Sequence, residues 1–133
     1  MQVLFVFLFW LATLFSGSNT ATTSAKQHVK SIVPVKLLAF KGKTDGNVNI
    51  LEWHTTAEVN TREFIIETSA DGNDLRPLIW VTPKGSAHGP TFYRYTDTTA
   101  GTQAYYRLRM VDADGKEQVS KIIAVKRQPV AKS

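Results

Sequence analysis

Short runs of alternating apolar and polar residues, cut by turn signals roughly every ten residues, decide what most of this chain can fold into. The clearest run spans 103–111. There Tyr106, Leu108 and Met110 share one face, and Tyr105, Arg107 and Arg109 share the other, because successive strand side chains leave opposite faces. In 63–69, Phe64 and Ile66 point inward while Glu63, Ile65 and Glu67 point outward. In 48–54 two apolar pairs compete, Leu51 with Trp53 and Val48 with Ile50. The pair holding Trp53 is taken as the core face, since Trp buries a very large area.

Four further runs, 32–40, 75–81, 91–96 and 118–126, complete the set. Pro34 and Pro77 place the first and fourth runs at sheet edges, where a missing N–H is tolerated. Gly42 to Gly46, Ala70 to Asn73 and Asp112 to Gly115 read as turns, and Thr82 to Pro90 as a loop. Thr55 to Arg62 is polar and links the two sheets. With no helical period along this stretch, the expectation is all-β: a seven-stranded two-sheet sandwich. Trp53, Phe64, Ile66, Tyr106 and Leu108 are expected to meet between the sheets.

The N-terminus is different. Met1 to Phe15 is almost continuously apolar, and small and polar residues follow from Ser16 to Ala25. An apolar stretch of that length falls short of the roughly 20 residues that span a bilayer. It reads as a signal-peptide helix, cleaved after Thr20, Ala21 or Ala25. Uncleaved, it would serve as a membrane anchor. The expected organisation is therefore signal peptide and leader over 1–25, linker over 26–33, sandwich over 34–127 and tail over 128–133. The expected location is secreted, periplasmic or on the cell surface.

The chain has 133 residues and no Cys, which excludes disulfides and thiolate metal sites. Its net charge is +5, with 16 Lys and Arg against 11 Asp and Glu. Such a charge serves solubility first; in an exported domain it also suits a protein or cell-surface component as partner, with an anionic polysaccharide among the candidates. The basic residues are scattered rather than striped, which argues against nucleic acid.

Five landmarks resemble a known module. They are Leu51, Trp53, Thr55 and Glu58; Phe64, Glu67, Ser69, Asp71 and Gly72; Tyr93 and Asp97; Tyr105 to Leu108; and Val111 to Gly115. Together they resemble the fibronectin type III-like, Ig-like module of bacterial secreted proteins, often found before a type IX secretion sorting domain. The likeness runs from about Val35 to Arg127. It implies a binding or structural module set beside an enzyme or adhesin domain. Two positions depart from the pattern. Thr68 stands where that family usually has Arg, and Ala104 where it has a corner tyrosine, so that Tyr105 or Tyr106 takes that part.

Candidate sites are few. Asp112, Asp114 and Gly115 begin like a calcium loop, but the distal Glu is missing, and a hairpin turn is the stronger expectation. His28, His54 and His88 have no metal-ligand spacing. Glu58, Glu63 and Glu67 are the carboxylates that glycoside hydrolysis could draw on. Cross-strand ion pairs of Glu63 and Glu67 with Arg107 and Arg109 account for the pattern without chemistry, and Glu67 should face Arg107 at about 0.2–1 kcal/mol for an exposed pair. No catalytic residue, metal or cofactor is expected. Trp80, Tyr93, Tyr95 and Tyr105 are the candidate ligand-binding residues, an aromatic platform for sugars. Packing of Trp80 beneath the Pro83 to Pro90 loop is the stronger expectation for that residue.

Overall fold

The computed structural model describes residues 35–128. The expected signal-peptide helix, the start of the first expected strand and His28 lie outside these residues. Among the described residues the protein is all-β. Its eight strands are β1 (Leu37–Asp45), β2 (Val48–Thr55), β3 (Thr61–Ser69), β4 (Arg76–Val81), β5 (Thr91–Asp97), β6 (Gln103–Asp112), β7 (Glu117–Val119) and β8 (Ile123–Lys126). One sheet runs β1-β2-β5. The other runs β4-β3-β6, with β6 pairing β7 along one part and β8 along another. Every pairing is antiparallel. Two such sheets face to face form the expected Ig-like, fibronectin type III-like sandwich.

The core follows the alternation. Leu51 and Trp53 from β2, Phe64 and Ile66 from β3, Tyr93 from β5, and Tyr106, Leu108 and Met110 from β6 are buried in one cluster. Trp53 lies flat on Tyr93 at 4.9 Å between ring centroids, and Phe64 meets both rings edge-on. Such aromatic pairs add about 0.5–1.5 kcal/mol each beyond their buried area.

Three elements differ from the sequence reading. The segment read as a Gly42 to Gly46 turn is largely strand, and the hairpin turns over Gly46 and Asn47, between Asp45 and Val48. Gly46 takes a positive φ of 56°, which suits a two-residue loop. Gly42 is needed for closeness instead, since a Cβ there would sit 2.6 Å from Val125 of the opposite sheet. The expected last strand is split, which makes eight strands rather than seven. Ser120 breaks it: its N–H bonds the Leu108 carbonyl and its Oγ accepts from the Leu108 N–H. Arg109 pairs with Val119 but Tyr106 pairs with Ile123. Residues 120–122 thus stand opposite 107–108, one residue in excess, in the manner of a bulge. Finally, Glu67, expected on the exposed outer row, is buried.

Candidate functional site

Buried carboxylates are the first place to look for chemistry, because burial away from water must be compensated. Glu58 sits in the link between the sheets. One oxygen accepts from the Thr55 hydroxyl, while the other accepts from the Tyr93 hydroxyl at 2.6 Å and the Gly85 N–H at 3.3 Å. Its own N–H bonds the Ser86 carbonyl at 2.7 Å. Glu58 therefore ties the 82–90 loop to the end of β2. Burial, reinforced by the bond to Glu58, pushes the Tyr93 hydroxyl well above the usual range of a phenol.

Glu67 is directly opposite Arg107 on β6, as expected. The surprise is its burial: only 1% of its side chain is exposed, though it stands on the outer face of its sheet. Arg107 Nε donates to one carboxylate oxygen at 2.7 Å, and Arg109 donates to the other. Long arginine stems can cover a neighbour while their heads stay wet. The bond to Glu67 holds the Arg109 proton more tightly than usual.

Asp97 is the third. It accepts from Tyr106 Oη at 2.7 Å and from the Thr99 hydroxyl and N–H. Asn49, opposite Asp97 on β2, donates to the same Tyr106 hydroxyl at 2.8 Å. Tyr106 thus ties β6 to the ends of β2 and β5 through side chains, rather than through the backbone bond that defines a corner tyrosine. Burial works to raise the Asp97 carboxyl, but its hydrogen bonds from Thr99, Tyr106 and Ala100 outweigh that and leave it below the usual range. Asp112 is buried at the end of β6, and burial raises its carboxyl. The Asp112 to Gly115 segment closes as a hairpin turn, through the Gly115 N–H on the Asp112 carbonyl. Among the described residues no group of three His, Asp or Glu is placed to hold a metal ion. Glu63 opposes Val111 rather than an arginine, so the expected cross-strand pair is replaced by one with Arg62 on its own strand.

The aromatic candidates do not form one platform. Tyr93 is in the core, and Tyr95 lines its margin, both on β5. Tyr105 belongs to the other sheet, where its ring lies against Gly72. Trp80 is not packed beneath the 82–90 loop; it stands 57% exposed on edge strand β4. Sequence reading gives the strand correctly, but its outward row at the edge leaves the indole without a covering neighbour. Trp80 opposes Ile65, Ile65 opposes Arg109, and Arg109 opposes Val119, itself exposed. An apolar and guanidinium row therefore crosses this outer face.

Two places escaped the sequence reading. A cleft of about 470 Å³ opens between the β3–β4 turn and the β5–β6 loop, lined by Ser69, Asp71, Arg76, Asp97 and Gln103 among others. Its polar groups are largely bound to one another. Asp71 accepts from Ser69 and from the Asn73 N–H, which with the Asp74 N–H draw its carboxyl down to about 2. The other place is Phe92, 59% exposed on β5, its ring 4.3 Å from that of His54 on the next strand. Alternation sets Phe92 on one face with Arg94 but does not mark that face as the outer one. Its pairing with His54 required the strand register.

No protein-family model matches this sequence, and no curated protein matches it either. Solved structures do. A Fn3-like protein from Clostridium thermocellum is 20% identical at a TM-score of 0.48, over 71% of this chain and 93% of that one. A pectate lyase from Erwinia chrysanthemi, in complex with tetragalacturonic acid, is 13% identical at 0.50, over 69% of this chain and 28% of the enzyme. A β-1,2-glucanase from Parabacteroides distasonis is 22% identical at 0.49, over 71% of this chain and 12% of the enzyme. This chain thus spans a minor part of either enzyme. The likeness is one of fold, and fold alone does not assign function. The class is a two-sheet, fibronectin type III-like sandwich.

Proposed function

We propose that this chain is a non-catalytic binding module of an exported bacterial protein, acting by contact with a protein at the cell envelope. The observation that carries the reading is Trp80, a large aromatic left more than half exposed on an open edge strand. Exposed Trp is the residue type that most often anchors protein contacts. An edge strand also offers free backbone groups to an added strand, although Pro77 removes one donor from β4. The engagement of Glu58, Glu67 and Asp97 in fixed hydrogen bonds supports the non-catalytic side of the reading, since each holds parts of the fold together. Export rests on the apolar 1–15 segment.

A second reading is a small carbohydrate-binding module in which Trp80 stacks on a sugar ring. Its exposure favours this equally, but the other aromatic candidates lie elsewhere. The test is binding of the purified chain to solubilised envelope protein and to neutral glycans, wild type against Trp80→Ala. Loss of protein binding with an unchanged far-UV spectrum supports the first reading, and loss of glycan binding alone supports the second. Wild-type binding by the variant to whichever partner is found removes both.

A further inference from the structure

The outer face of the β1-β2-β5 sheet carries a feature that the Trp80 surface does not explain. Strand register assembles it in rungs. Ala39, His54 and Phe92 lie side by side; Lys41, Glu52 and Arg94 form the next rung; Lys43, Ile50 and Thr96 form the third. Lys41, Lys43, Arg94 and Phe92 are all exposed. Ile50 is buried within this face. Same-face residues on one strand are about 7 Å apart, and β1 and β5 are about 10 Å apart across β2. Three cations therefore ring a single carboxylate, Glu52, with an aromatic ring at one end and Asp45 at the far hairpin. The Arg94 to Glu52 contact is long, 3.7 Å, and both side chains are well exposed. The pair is open to exchange with a ligand.

We propose that this face binds an acidic polysaccharide. Charge complementarity selects the sign of the partner, because Lys41, Lys43 and Arg94 outnumber Glu52 and Asp45, and the cations lie on either side of Glu52. The mixture selects the class. A polyuronate offers carboxylates for the three cations, hydroxyl donors for Glu52, and an apolar sugar face for the exposed Phe92 ring. A nucleic-acid backbone supplies the charge but few donors for Glu52, and an acidic peptide lacks the flat apolar sugar face that suits Phe92. The face is flat and open along the strands, which admits a chain passing across it. This surface is on the opposite sheet from Trp80 and is independent of the reading built on that residue.

The test is affinity electrophoresis of the purified full chain in gels containing alginate, with neutral dextran, polyglutamate and duplex DNA as controls. The expected result is retardation by alginate and none by dextran, with polyglutamate and DNA at least tenfold weaker. Lys41→Gln, Lys43→Gln and Arg94→Gln combined should weaken alginate binding at least tenfold, and Phe92→Ala alone several-fold. Added salt should weaken it further, since exposed charges are screened. Trp80→Ala should leave it unchanged. Equal retardation by DNA and polyglutamate, or an unaffected Phe92→Ala variant, reduces the effect to simple cation exchange and overturns the proposal. So does wild-type protein that ignores alginate. If Trp80→Ala abolishes glycan binding while the triple variant keeps it, this proposal fails and the Trp80 sugar reading stands.

Discussion

Glu67→Ala is the perturbation that separates a decorative surface pair from a structural one. Glu67 is almost wholly buried and is held by both Arg107 and Arg109. Breaking a buried pair from one side costs about 3–5 kcal/mol. Here the arginine side chains keep 29% and 26% of their exposure, so water can resolvate them once the carboxylate is gone. That brings the expected loss down to about 2–3 kcal/mol, still well above the ~0.2–1 kcal/mol of an exposed cross-strand pair. For a domain of this size each kcal/mol lowers Tm by about 4–8 °C, so calorimetry should show a fall of about 10–20 °C. Urea unfolding should show a lower midpoint at unchanged slope. A double-mutant cycle pairing Glu67→Gln with Arg107→Gln should return a coupling above about 1 kcal/mol. A loss below about 0.5 kcal/mol for Glu67→Ala, with negligible coupling, would refute the burial argument.

Trp53→Ala should cost about 3–5 kcal/mol by opening the centre of the aromatic cluster, and a near-native thermal melt would show that the core is elsewhere. Tyr106→Phe should cost about 1.5–3 kcal/mol in chemical unfolding, because it strips a charged hydrogen bond from buried Asp97 and a neutral one from Asn49. The Asp97 carboxyl lies below its unfolded value when folded. Its contribution is therefore present above the unfolded value of about 3.9 and is lost as pH falls through the lower folded value. Acid unfolding should accordingly flatten in Asp97→Asn, and an unchanged acid limb would contradict that assignment. Mass spectrometry of the exported protein should show a chain beginning after Thr20, Ala21 or Ala25, whereas an intact N-terminus held in the membrane would favour an anchor.

The inward rows were legible because large side chains such as Trp53, Phe64 and Tyr106 dominate burial and alternate cleanly along their strands. The partner of Glu67 was legible too, from alternation alone. Its burial was not, because it comes with two guanidinium groups from a neighbouring strand closing on the carboxylate, on a face that the local pattern marks as outer. Gly42 reads locally as a turn residue, and only the closeness of Val125 explains it as strand. The split at Ser120 depends on hydrogen bonds to Leu108, twelve residues away. The Lys41, Lys43 and Arg94 face likewise exists only once three strands are in register, which a scattered distribution of charge conceals.

The central claim is that the buried carboxylates hold the fold while the sheet faces bind. Its most direct test is one experiment on Glu58→Gln, Glu67→Gln and Asp97→Asn, reading Tm and hydrolytic turnover together on a panel of glycosides and esters. The account predicts no turnover above buffer in the wild type and a lowered Tm in all three variants. Measurable hydrolysis by the wild type, lost in a variant that melts like the wild type, would contradict it.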